Sequence, residues 1–153
     1  MNIVFLCILM DAFFIGLLVW CACTDWKART VSNLCIALLL GLGLAHTALM
    51  ILNGGTWWTY PAGLLLSVPF IITWLKNGMG AGDVKLIMGI GIYLGLLNTL
   101  VSFILMIPLL VILTVRSWRK NKTVKSAIPF APILAFGAGG AVILGYLYAF
   151  TQL

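Results

Sequence analysis

Apolar runs fill this sequence almost from end to end: Asn2–Cys23, Leu34–Leu52, Tyr60–Leu75, Val84–Asn98, Thr99–Val115 and Ala127–Phe150, with short connections between them. A helix rises 1.5 Å per residue and a bilayer core is about 30 Å thick, so the first, second and last runs reach the roughly 20 residues a spanning helix needs. The other three hold about 15 to 17 residues, or about 23 to 26 Å of helix. They require flanking residues or a locally thinner bilayer. Backbone groups in lipid must be paired internally, and no strand-like alternation is present. The expected fold is therefore all-α: a polytopic six-helix transmembrane bundle with short central spans, forming one domain over residues 1–153 without a separate soluble module. With 63% hydrophobic and 8% charged residues, disorder, a water-soluble enzyme and a coiled coil are excluded.

The net charge of +6 comes from nine Lys or Arg against three acidic residues. Nucleic-acid binding needs a clustered basic face on a polar fold, which this chain lacks. The layout of six spans puts Lys27 and Arg29 in the first connection, Lys76 and Lys85 around the third, and Arg116, Arg119, Lys120, Lys122 and Lys125 in the fifth, all on one side. The positive-inside bias makes that side cytoplasmic and puts both termini outside, in an inner membrane. Trp57, Trp58 and Tyr60 mark the outer interface; Trp20, Trp26, Trp74 and Trp118 lie near the inner one. The first run has no basic residue before it and no clear cleavage site, so it is expected to be a retained span.

Cys7, Cys21, Cys23 and Cys35 lie in or beside apolar runs without zinc-ligand spacing, and are expected as unpaired, lipid-buried thiols. Gly89, Gly91 and Gly95, and Gly137, Gly139, Gly140 and Gly145, are read as helix-packing positions; Pro69 and Pro108 as bends. His46 is a lone histidine, expected to be neutral and hydrogen-bonded. Asp11, inside the first span, is costly there unless paired or near water. It is either a structural polar contact or a conformational or proton-linked group.

The other two carboxylates share one membrane face. Asp25 follows the first span in CTDWKARTVSN, and Asp83 precedes the fourth in LKNGMGAGDVKL. Two close carboxylates do not both ionise readily, so one keeps a proton while the other acts as base. The base takes a proton from water attacking an amide carbonyl, and the acid protonates the carbonyl oxygen or leaving amine. Gly78, Gly80 and Gly82 allow tight turns and close approach by an extended substrate, although a flexible turn before an Asp helix cap accounts equally well for them. A small transporter using Asp11, Asp25 and Asp83 as an ion path, or a structural subunit, is the rival class.

The segment Asp25-Trp26-Lys27-Ala28-Arg29-Thr30-Val31-Ser32-Asn33 resembles the first catalytic motif of the type IV prepilin peptidases, and Gly78-Met79-Gly80-Ala81-Gly82-Asp83-Val84-Lys85-Leu86 resembles their second, GxGD, motif. Ile128-Pro129-Phe130-Ala131-Pro132 is similar to the stretch that opens the family's last helix. The resemblance implies a membrane aspartic endopeptidase that removes the basic leader of a prepilin or pseudopilin on the cytoplasmic side, with Asp25 and Asp83 as catalytic pair. Lys27, Arg29, Asn33, Gly78, Gly80, Gly82, Lys85, Pro129 and Phe130 match supporting positions. Ser32 stands where proline is usual, and Ala81 where glycine is common. No cofactor or metal is implied. Partners would be the precursor, membrane lipids and pilus assembly machinery. The paired-cysteine N-terminal region of longer members has no counterpart, so N-methylation is not expected; the chain resembles short tight-adherence peptidases, with archaeal preflagellin peptidases the alternative.

Overall fold

The computed structural model describes residues 3–28, 30–121 and 130–151, apart from the side chains of residues 117, 118, 120 and 121. All regular structure in these residues is helical: α1 Ile3–Ala28, α2 Asn33–Leu52, α3 Thr59–Leu65, α4 Val68–Leu75, α5 Ala81–Asn121 and α6 Ala131–Thr151. Four helices are long and apolar enough to cross a membrane: α1, α2, α5 and α6. The chain is a polytopic, multi-pass membrane protein.

Six separate helices are not what forms. Helices α3 and α4 follow each other as one shorter apolar stretch, Thr59–Leu75, and the runs expected as spans four and five are a single element. Five helical units therefore replace the expected six. Ala81–Arg116 alone, at 36 residues, would measure about 54 Å if straight, well beyond one bilayer crossing. It is interrupted at Gly95 (φ 72°, ψ −177°), a conformation essentially reserved for glycine. Gly95 alone makes the break between the two expected runs, and helical torsions resume directly after it. Beyond it α5 runs back along α6: Asn98 shares a cavity with Gly145, Leu105 borders Gly140, and Met106 borders Gly137. Pro108 leaves the helical torsions intact, and Pro69 sits in the first turn of α4, where its missing N–H costs nothing.

The helices meet along stripes of helical period. On α1 the buried residues are Phe14, Leu17, Leu18, Cys21 and Asp25; they face Cys35 and Leu39 of α2, Leu86, Ile87, Ile90 and Tyr93 of α5, and Leu134 and Ala138 of α6. Large apolar side chains on the opposite faces, such as Phe5, Leu9, Phe13, Ile104 and Leu147, are exposed, as lipid contact requires. Glycine sets the closest crossings. A Cβ on Gly63 would lie 2.8 Å from the carbonyl carbon of Gly95, and one on Gly91 would lie 2.6 Å from Gly63 O, so α3 rests backbone to backbone on α5. Gly89 and Gly137 make comparable close contacts, with Leu39 and with Ser102. Gly139 and Gly145 meet nothing within 4 Å and do not serve the packing role expected of them.

The cysteine expectation is also corrected in part. Cys21 and Cys35 are joined as a disulfide between α1 and α2, whereas Cys7 and Cys23 are free. Each of the pair lies on an inward stripe, and the α1–α2 turn brings the two stripes face to face; spacing alone, with no CxxC, does not reveal this.

Candidate active site

Asp25 occupies the last turn of α1, 11 residues after Phe14 on the same stripe, and is only 6% exposed. Its Oδ2 accepts a hydrogen bond of 3.1 Å from the backbone N–H of Ala131. Ala131 opens α6, so this is one of the amides a helix start leaves without an internal partner. The positive end of the helix dipole thus faces the carboxylate.

Asp83 stands in the first turn of α5, ahead of the apolar stretch that begins at Val84. It is partly buried. Burial, and secondarily the charge on Asp25, push its carboxyl from the ordinary carboxylate range up to about 6. The two acids therefore feel each other at one end of the bundle. The connections that carry them also touch: a Cβ on Gly82 would lie 3.2 Å from Cβ of Val31, so the bare glycine lets the second loop seat on the first. A Cβ on Gly80 would stand 3.3 Å from Oδ2 of Asp83, so its absence leaves that carboxylate open to an approaching chain.

Gly78 has a different place. Its N–H donates to Thr73 O at 2.9 Å behind Asn77, whose φ of 56° turns the chain out of α4, so Gly78 closes a helix end. Lys27, Asn33 and Lys85 are exposed at the same end of the bundle. Phe130 is partly buried against the core, and its carbonyl accepts the N–H groups of Ile133 and Leu134, both at 3.1 Å, at the start of α6. Arg29 and Pro129 lie outside the described residues.

Residues 12–115 match the profile of the type IV leader peptidase family. The chain belongs to that family. It is accordingly a membrane aspartic endopeptidase that cleaves prepilin leader peptides, which decides against the transporter reading. Comparisons with curated proteins and with solved structures find no match. The matched residues include both Asp25 and Asp83 but stop before α6, although α6 supplies the amide that touches Asp25 in this peptidase. The sequence points to Phe130 and its neighbours only by resemblance; a main-chain N–H has no side-chain signature, so Ala131 is not singled out by it.

Asp11 lies apart from the pair. It is 14 positions before Asp25 on one helix, close to four full turns, which puts both acids on the same face about 21 Å apart. The structural contact expected for Asp11 is present: Tyr93 Oη donates to its Oδ1 at 2.6 Å, and Tyr146 Oη donates to its Oδ2. His46 is buried and stacked on Tyr93, and its Nδ1 has no hydrogen-bond partner among the described residues.

Proposed function

We propose that Asp25 and Asp83 are the catalytic pair and that they cut the leader of a prepilin or pseudopilin at the cytoplasmic membrane face. The observation that carries this is the seating of Gly82, next to Asp83, on Val31 of the connection after Asp25, with the first amide of α6 held against Asp25. One acid of the pair holds a proton while the other is the base, and their titration belongs to the pair. The ionised acid removes a proton from water as the water oxygen attacks the scissile carbonyl carbon; the protonated acid gives its proton to the carbonyl oxygen. On collapse of the tetrahedral intermediate the C–N bond breaks, the proton taken from water goes to the departing amine, and the acid that first gave up its proton takes back the hydroxyl proton of the intermediate as the carbonyl re-forms, which restores the pair.

The same reading gives six crossings: α1, α2, the Thr59–Leu75 stretch, the two arms of α5 on either side of Gly95, and α6. The termini are then outside and all basic connections inside, in agreement with the positive-inside bias. A precursor with an apolar segment just after its cut stays in lipid there while its polar junction reaches the acids. Bare Gly80 and the exposed Lys27, Asn33 and Lys85 border its path, with membrane lipids and the pilus assembly machinery as further partners.

Cleavage of a prepilin by the purified protein in lipid tests the reading. Asp25→Asn and Asp83→Asn are each expected to abolish cleavage while the protein still inserts and folds, since each keeps side-chain volume and removes half of the acid/base cycle. Mass spectrometry of the product termini locates the cut. A well-folded Asn variant that still cleaves would end the assignment.

A further inference from the structure

Four turns along α1 from Asp25, a second polar site occurs for which peptide hydrolysis has no use. Asp11 there accepts hydrogen bonds from the hydroxyls of Tyr93 of α5 and Tyr146 of α6, residues 82 and 135 positions away in the chain. Tyr93, 1% exposed, is stacked between Phe14, at 3.9 Å, and His46 of α2, at 4.4 Å. Tyr60 stands edge-on to His46 at 6.1 Å. His46 is 9% exposed, and its Nδ1 is a buried polar atom without a partner among the described residues, which native interiors rarely tolerate.

These side chains line one cavity of about 310 Å³. Met50 and Ala149 also border it, close to the far ends of α2 and α6, so it lies at the end of the bundle away from Asp25 and Asp83. Among the described residues no Lys or Arg lines it, so Asp11 supplies a carboxylate without a permanent positive charge beside it there. An acid, several aromatic faces and an unoccupied imidazole acceptor together favour a positively charged guest with N–H or N–CH groups, through charge, cation–π attraction and a hydrogen bond to Nδ1. A hard metal ion fits less well, because both Asp11 oxygens already accept phenol protons and the remaining walls are rings and apolar groups.

We propose that this cavity binds an alkylammonium group, with Asp11 as counter-ion, Tyr60 and Tyr146 as aromatic walls, and His46 Nδ1 as acceptor. The ammonium is carried either by an amine lipid headgroup or by a small free amine, which present the same chemistry to the site.

His46 is the only histidine in the chain, so histidine labelled with nitrogen-15 gives a single reporter inside the cavity. Ethanolammonium chloride titrated into the purified protein in detergent should shift the His46 ring resonances saturably, whereas sodium chloride at equal ionic strength should not. Nanodiscs of phosphatidylglycerol, with and without phosphatidylethanolamine, form the lipid arm. A shift with the free amine alone identifies a soluble ligand; a shift with the amine lipid alone identifies a headgroup; both outcomes support the site. Asp11→Asn should weaken binding at least tenfold, and Tyr146→Phe, which removes one hydroxyl from a half-exposed ring, provides the same test with a weaker effect should the first variant fail to fold. No shift from either source, or unchanged affinity in the folded variants, overturns the proposal.

Discussion

Replacing Asp25 by alanine and by asparagine separates its two jobs. Both substitutions remove one carboxylate of the proposed pair, and both relieve Asp83 of the neighbouring charge, so those contributions cancel when the variants are compared with each other. Asparagine keeps an oxygen that can go on accepting the Ala131 N–H; alanine does not. In the alanine variant that amide is left at the start of α6 beside a residue buried to 6% exposure, with no side-chain acceptor. An orphaned buried donor costs about 1–3 kcal/mol, or about 5- to 150-fold in the unfolding equilibrium. Both variants should fail to cleave, but Asp25→Ala should be less stable than Asp25→Asn by that amount in reversible unfolding in mixed micelles. Hydrogen exchange supplies a local measure: the Ala131 amide should stay protected in the asparagine variant and exchange faster in the alanine variant. Equal stabilities within about 0.5 kcal/mol, together with equal exchange at Ala131, would refute the claim that Asp25 anchors the last helix.

Gly63→Ala should destabilise the protein by about 1–3 kcal/mol through overpacking of α3 on α5, while Gly139→Ala, with open space around it, should be close to neutral; denaturation of the two variants side by side decides it. Gly95→Ala forces a side chain into a positive-φ conformation 3.0 Å from Thr59 Cγ2 and should cost about 1–3 kcal/mol, measurable in the same assay. The raised Asp83 carboxyl carries a pH signature. Folded protein holds this proton more tightly than unfolded chain does, so the group's contribution to stability is full below the ordinary carboxylate range and lost as pH rises through about 6. Wild-type stability should therefore fall across that window more than that of Asp83→Asn, and cleavage should decline on the alkaline side of about pH 6; identical stability profiles for the two proteins would argue against the shift. Single cysteines at Ala28 and Thr56 in a cysteine-free background should label from opposite sides of the membrane, and labelling from the same side would defeat the proposed topology.

Hydropathy made the all-helical membrane class legible, because run length against bilayer thickness leaves little choice. The two motifs likewise marked Asp25 and Asp83 as residues of interest, since carboxylates are so rare in this chain. What did not read out was which faces meet. Helices α1, α2 and α6 are apolar around their whole circumference, so no amphipathic stripe distinguishes lipid from protein. The partners of Asp11 are tyrosines on two other helices, the Cys21–Cys35 pair depends on how α1 and α2 are rotated, and both require tertiary information. Gly95 looked like one packing glycine among several; its distinction is a torsion angle, which composition does not carry. The proline positions misled for a related reason, because a ring in the first turn of α4 fits without bending anything.

The contact between Asp25 and Ala131 joins residues 106 positions apart, which gives the peptidase an order of biogenesis. At a synthesis rate of about 5–20 residues per second, roughly 5 to 20 s pass between the making of Asp25 and the making of the amide that meets it. During that interval Asp83 has already been added, so a nascent chain carries both acids while the first turn of α6 is still missing. Asp25 then faces the aqueous membrane border without its donor or the cover of the last helix. Docking of α6 is thus the closing step of assembly, and a ribosome stalled before Ala131 leaves a chain that holds both carboxylates yet has no finished site.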